Sequence, residues 1–454
     1  MSMGDRTFSR RSVLTGSLAA AGTALVASCG NSPSGGDAQT QGSAESGVIN
    51  VWGAITLDRG VQELLDAFAA KYPDIQVNYE QFPNNTDGNL KLDTSLQGGA
   101  PVDVFFSYGA AAVARRTEAG YALDLTELAQ SMPEAEPFTS SDPQRTALFD
   151  DKLFAIPTVY NPYLVYLNQD MLDAAGIDVP FDWTIEEFHE IATELTAGGF
   201  AESATYKSLP LAGMELGGDS QFAAGGESSS FDLPIWKQQF DLELAMEQDG
   251  TLFPMEQVLA QRVDLYAQSY FLGGQHAFYL DNPATLRFVK DLENYPHDFR
   301  TTFRPMPYLE RGGQQWNTGS YEDAVQINAN TSYPEAAKTF VQFWLQDGSE
   351  FMQTAGKVPS SLGPGQGAAA EALFPRLLGD DYEDLFDTDA LTQVAFADDI
   401  QMSVTTITTA LTEIANLRSS LTQQLRLGEI SVDDMLGRLK AEADAAITTE
   451  LAQG

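Results

Sequence analysis

The sequence predicts an α/β protein of two lobes, joined by a hinge of extended crossover segments with a ligand cleft between them. Three observations predict it. A chain of 454 residues is longer than one hydrophobic core usually fills, so two bodies are expected. Residues 48–129 alternate strand-like apolar runs with helical spacing, the order of a parallel sheet with helices on both faces. The stretch 153–168, LFAIPTVYNPYLVYLN, places two apolar runs of strand length on either side of a proline-bracketed hexapeptide. Pro157 and Pro162 fix φ and bias Ile156 and Asn161 toward extended backbone. The chain stays extended there without a full ladder of hydrogen bonds, as a strand leaving one sheet for another does. A kinked edge strand fits the same residues.

Composition narrows the function. With 43% apolar and 10% aromatic residues, two cores can be filled. Lys and Arg number 25 against 64 Asp and Glu, a net of −39. That charge disfavours nucleic acid and bare anionic membrane, and says little about a small ligand. Cys29 is the single cysteine, which excludes an intrachain disulfide and a cysteine-based metal site. His189, His276 and His297 fall in separate elements without metal-ligand spacing. No metal and no cofactor are expected.

The first 47 residues are an address and a tether. Arg10 and Arg11 precede a weakly apolar run, 12–27, too short and bland to span a bilayer as a permanent helix. The pair resembles a twin-arginine export signal. The run ends Val26-Ala27-Ser28-Cys29-Gly30, similar to the lipobox of bacterial lipoproteins, which implies cleavage before Cys29 and lipidation of its thiol. A cysteine there by chance is the plainer alternative. Losing residues 1–28 removes Arg6, Arg10, Arg11 and Asp5, leaving 22 basic and 63 acidic residues and a net of −41. Residues 31–47, rich in Gly, Ser, Gln, Asp and Ala, have the composition of a flexible tether. Beyond them no apolar run reaches 18 residues.

In the first lobe, 48–54 reads as a buried strand ending at Trp52-Gly53. Residues 56–72 carry Val61, Leu64, Leu65, Phe68 and Ala69 on one helix face, stopped by Pro73. Strands follow at 75–79 and 102–106, with helices at 90–96, 110–119 and 125–129. Ligands of such sheets sit beyond the carboxyl ends of the strands, which points to Trp52 through Asp58 and to Tyr108 beside Gly109. Trp52 is equally a core residue by its sequence.

In the second lobe, Thr184 and Glu187 form a capping-box pattern at the start of a helix over 184–195. Glu187 and His189 read as solvated helix positions. The Gly- and Ser-rich stretch 211–230 is read as a loop that closes over a ligand, a mobile surface loop being the alternative. Helices are predicted at 231–248 and 255–268, and a strand at 301–308. The turn 316–322, WNTGSYE, leads into an extended run at 324–328. A helix at 333–346 packs Trp344 inward. GPGQG at 363–367 lacks the strand before and the Lys after that a phosphate-cradling loop needs. The tail, 404–451, is helical with a break at 427–431.

Several of these stretches together resemble family 1 extracellular solute-binding proteins, the sugar-binding subunits of ABC importers, similar to maltose-binding protein. F-x-x-K-Y-P-D-I-x-V at 68–77, G-G-A-P-x-D-V at 98–104 and K-L-F-A-I-P at 152–157 carry the resemblance, with Val102 an insertion against the family pattern. It continues through Y-L-N-Q-D-M-L-x-x-A-G at 166–176, D-W-T-I-E-E-F at 182–188, where Trp183 precedes Thr184 instead of following it, and FLGGQHAFYL at 271–280, which by the resemblance is a strand ending at the cleft in Asp281 and Asn282. The resemblance implies the type II periplasmic-binding-protein fold. It implies crossovers near 157–162, 317–323 and 362–368, with 48–158 and 322–365 as lobe I and 162–318 and 368–454 as lobe II.

A neutral sugar offers hydroxyl edges and apolar C–H faces, so its site needs rings to stack and carboxylates or amides to accept hydroxyl protons. Strand ends supply Trp52, Tyr108, Tyr160, Trp316 and Tyr321 as rings, and Asp58, Asn161, Asp281, Asn282 and Glu322 as acceptors. The expected protein is a monomer that captures a small solute, a sugar before others, by lobe closure. By the resemblance it delivers that solute to ABC transporter permease subunits from a lipid anchor on Cys29. An exported hydrolase and a ligand-free lipoprotein scaffold are the alternatives. A glycosidase needs only two carboxylates, but no G-x-S-x-G elbow, H-E-x-x-H or Walker loop is present.

Overall fold

The computed structural model describes residues 46–140, 145 and 148–452. The expected export signal, Cys29 and all but the last two residues of the tether lie outside the described residues. The strands are β1 (Gly47–Gly53), β2 (Ile75–Gln81), β3 (Val104–Ser107), β4 (Val159–Asn161), β5 (Leu164–Asn168), β6 (Phe278–Asp281), β7 (Thr301–Pro305), β8 (Trp316–Asn317), β9 (Ser320–Glu322), β10 (Ala324–Ile327) and β11 (Gln401–Met402).

The first sheet has the order β10-β3-β1-β2. Its strands β1, β2 and β3 are parallel, as the alternating pattern predicts, and β10 closes the edge antiparallel to β3. Side chains alternate across it with period two. Ile49, Val51, Val104 and Phe106 face a core with Phe68, Phe340 and Trp344. Trp52 and Phe105 face the other way, onto Phe82, Leu92 and Leu96. The helix predicted over 56–72 is broken at Arg59 and Gly60. Gly60 sits at φ +93°, and a Cβ there would lie 2.0 Å from the Phe351 carbonyl oxygen, so only glycine lets the chain pass.

The second sheet differs from the largely parallel first sheet. Its order is β6-β5-β7, and both pairings of β5 are antiparallel. Such pairs need no helical crossover between neighbours, which frees the long chain between β5 and β6 to build helices on one face. There Val165, Leu167, Phe278 and Leu280 pack on Trp183, Phe188 and Trp236. On the other face Leu164, Tyr166, Tyr279 and Phe303 pack on Phe374, Phe386 and Leu391. Helix Ile185–Ala197 begins with the predicted capping box, Thr184 and Glu187 each satisfying the other's backbone N–H. Two expectations fail nearby. Phe271 and Leu272 end a helix, leaving only Phe278–Asp281 as strand. The tail is helical only over Leu411–Arg426 and Val432–Leu451. Among the described residues no helix is long and apolar enough to cross a membrane.

Between the two sheets runs a short antiparallel ribbon of β4 and β9, with Val159 opposite Glu322, Tyr160 opposite Tyr321 and Asn161 opposite Ser320. Residues 358–360 line the far edge of β4: Tyr160 N–H donates to the Val358 carbonyl (2.8 Å) and Ser360 N–H to the Thr158 carbonyl (3.1 Å).

Candidate functional site

The ribbon is held by side chains that the turn residues dictate. Asn317 imitates a strand: its amide nitrogen donates to the Tyr163 carbonyl (2.8 Å), and its amide oxygen accepts from Tyr163 N–H (2.7 Å) and Gly319 N–H (2.8 Å). Gly319 then passes so close to β4 that a Cβ would meet the Asn161 carbonyl oxygen at 2.0 Å. Glu322 accepts from Ser320 Oγ (2.8 Å) and Asn161 Nδ2 (3.0 Å). Burial raises the pKa of its carboxyl, with Ser320, Asn161 and Lys357 opposing. Asp323, at φ 51°, pairs with Lys357 Nζ at 2.7 Å.

This ribbon forms one wall of a cavity of about 720 Å³. From the first sheet body come Ser107, Gly109 and Val113, after the carboxyl end of β3, with Arg145, Phe149 and Ala155. Ser107 is committed to the protein, donating to Gln326 and accepting from the buried Arg116 (2.8 Å). Gly109 stands at φ +88° at the start of helix Ala110–Glu118 with nothing near its missing Cβ. From the second body come residues 206–210, Gly217, Gly218, Ser220, Gln221 and Ser403 to Thr405. Behind them the cavity is lined by Trp236, Phe240 and Glu243 of helix Pro234–Gln248 and by Arg418 and Arg426 of helix Leu411–Arg426. Among the described residues no cluster of His, Cys, Asp or Glu could hold a metal.

The ten strand-end residues are distributed as follows. Tyr321 and Glu322 line the cavity, and Asn161 touches it through Glu322. Tyr160 is fully buried, its hydroxyl donating to the Ala395 carbonyl (2.9 Å) and its ring 5.3 Å from that of Tyr321. Trp316 is not beside Tyr160's ring; it pairs in β8 with β11 and lies against Gly217, backing the cavity wall from behind. Trp52 lies on the strand face turned from the first core, with Lys91 Nζ 5.0 Å above its ring. Tyr108 accepts from Ala54 N–H (2.6 Å) and packs on Phe82. Asp58 is exposed beside the broken helix. Asp281 and Asn282 serve the turn before Pro283, accepting from Thr285 Oγ1 (2.8 Å) and Ala284 N–H (3.0 Å). Local turn and core demands thus take seven of the ten away from the cavity.

What strand ends did not reveal is the second body's share. The glycine-rich stretch 211–230 was its one signal. Gly217, Gly218, Ser220 and Gln221 line the cavity, while Leu211–Leu216 is a helix. Asp219 accepts from Thr406 N–H (2.7 Å) and Ile407 N–H (2.9 Å), pinning the irregular chain that brings Ser403 and Thr405 to the wall. Lys207 Nζ donates to Tyr163 Oη (2.8 Å). No periodicity marks these positions.

Two sheets joined by an extended ribbon, with a cavity walled by both, define a two-lobed binding protein. The chain belongs to the bacterial extracellular solute-binding protein family, whose model matches residues 54–350. No curated protein matches the sequence. Solved structures are similar in fold. The GacH receptor of Streptomyces glaucescens, solved unliganded and with acarbose, has a TM-score of 0.66 at 17% identity, covering 88% of this chain and 98% of that one. Maltose-bound MalE3 of T. maritima has a TM-score of 0.66 at 17% identity, with 88% and 99% covered. The cyclic α-maltosyl-1,6-maltose binding protein of Arthrobacter globiformis has a TM-score of 0.65 at 16% identity, with 89% and 100% covered.

Proposed function

We propose that this protein is an exported solute-binding protein of an ABC importer, anchored by a lipid on Cys29, and that its solute is a sugar. The carrying observation is the cavity of about 720 Å³ walled by both sheet bodies and by the β4–β9 ribbon. A solute touching both walls gains contacts only when they approach, so it favours the closed form. Tyr321 offers a ring face, and Glu322, Gln221 and Lys207 offer acceptors and donors suited to hydroxyls. Sugars named in the solved neighbours support the same class. In this proposal 48–158 and 322–365 form one lobe and 162–318 and 368–454 the other, hinged at the crossovers near 157–162, 317–323 and 362–368. The closed form is what the permease subunits recognise, with ATP hydrolysed by a separate cytoplasmic subunit.

The test is a melting scan of the mature protein against mono- and oligosaccharides. A ligand at a hundred times its Kd stabilises the folded state by about 2.7 kcal/mol, a rise of several degrees. X-ray scattering with the shifting sugar should show a smaller radius of gyration. No shift with any sugar overturns the reading. Product release from a chromogenic glycoside would favour a hydrolase instead.

A further inference from the structure

The cavity does not end at the cleft. Its inner part is lined by Trp236, Phe240 and Glu243, each 6% exposed or less, and by Arg418 and Arg426. Of the two arginines, Arg426 is committed. It bonds Glu247 and the Phe253 carbonyl and lies 3.7 Å from Glu243. Glu247 is itself taken by Met255 N–H. Arg418 rests over the Trp236 ring (5.9 Å) and makes no hydrogen bond or ion pair among the described residues. Arg418 is half-buried and lines the cavity, so its guanidinium donors remain available to a ligand there. Those donors share the cavity with the Glu243 carboxyl, which also has no hydrogen bond among the described residues. Nearer the cleft Gln221 Oε1 is buried, lines the same cavity and has no partner.

The balance of charge selects what fits. An anionic group would be drawn to Arg418 but repelled by Glu243 and Glu247, and a cation would meet the reverse. Neighbouring hydroxyls satisfy both, each accepting from the guanidinium and donating to the carboxyl or to Gln221. Size selects further. A space of 720 Å³ equals about two dozen water molecules at roughly 30 Å³ each, more than one hexose ring displaces.

Resting on the sugar-binding reading, we propose that the ligand is a neutral oligosaccharide whose end ring enters this inner arm, where Arg418 and Glu243 bind its hydroxyls as a donor–acceptor pair. Arg418 and Glu243 then set chain-length preference, while Tyr321 and Glu322 hold the rings in the cleft. Burial raises the Glu243 pKa to about 7, against the pull of Arg426 and Arg418, which keeps the carboxyl able to accept or donate near neutral pH.

Calorimetry on the mature protein with glucose, maltose, maltotriose and cellotriose tests this. Wild type should bind a trisaccharide at least tenfold more tightly than glucose. Arg418→Ala and Glu243→Gln should each lose about ten- to a hundredfold for the trisaccharide, the range for a hydrogen bond to a charged group, and change little for glucose. Arg418→Lys, which keeps a charge in the same space, should fall between. It guards against a folding defect, as do melting curves of all variants. Trisaccharide binding should shift tryptophan fluorescence, and Trp236→Phe should reduce that shift. If trisaccharide affinity is unchanged in Arg418→Ala and Glu243→Gln while Tyr321→Ala loses binding, the inner arm is not a subsite and the sugar-binding reading stands. Tightest binding to glucose overturns the proposal likewise. No heat and no melting shift with any sugar in wild type overturns both.

Discussion

The side-chain amide of Asn161 donates to the Glu322 carboxylate at 3.0 Å, tying the outgoing crossover to the returning one. Ser320 supplies the second donor. The bond runs along a ribbon whose Tyr160 and Tyr321 rings pack at a tilt of 40°, centroids 5.3 Å apart. Two connections far apart in sequence are thus bonded into one strip, which forms a wall of the cavity.

That strip makes Glu322 and Tyr321 the first variants to examine. Tyr321→Ala should weaken binding of the sugar found by the melting scan by tenfold or more, through loss of a buried aromatic contact of about 1.5 kcal/mol or larger. Glu322→Ala should do the same and also leave Asn161 without its acceptor. Titration calorimetry reads both, and unchanged affinity in both would remove the ribbon from the site.

Gly319 is fixed by crowding. A Cβ would sit 2.0 Å from the Asn161 carbonyl oxygen of β4 and 2.6 Å from the Tyr163 backbone nitrogen just beyond it. Gly319→Ala should therefore cost about 2 kcal/mol or more, seen as a lower melting temperature. Gly99→Ala serves as a comparison: it has open space but φ +68°, so only backbone strain of about 1 kcal/mol is expected.

His276 is buried between Phe253 and Tyr270, and neither ring nitrogen has a partner. Burial lowers its pKa from 6.5 to about 4. Below pH 6.5 the unfolded chain binds the proton first, so stability falls as pH drops from 6.5 through 4. The loss should be on the order of 3 kcal/mol. His276→Phe should flatten this acid limb in denaturant titrations; an equally steep limb would assign it to other groups.

Glu243 works in the opposite direction. Its folded pKa, about 7, lies above the ordinary 4.5, so the folded state holds a proton that the unfolded state has released. Stability from this site is full below 4.5 and is lost as pH rises through 7. Glu243→Gln should remove that decline, again on the order of 3 kcal/mol. Relative to wild type it should gain stability at pH 8 over pH 5.

By itself, the sequence determined the alternation of apolar runs that makes β1, β2 and β3 parallel, the proline-bracketed crossing at 157–162 and the cap at Thr184. These follow from local periodicity, fixed φ angles and single-turn hydrogen bonds. It also marked the turn whose Tyr321 and Glu322 reach the cavity, because a glycine-containing turn between extended runs is a local feature. Tertiary structure alone decided which face of β1 carries Trp52, that Asp281 and Asn282 close their own turn, and that the second sheet is antiparallel. It alone brought Arg418 and Glu243, 175 positions apart in the chain, to the end of one cavity. Those outcomes depend on contacts between distant segments, whose energies no residue spacing encodes.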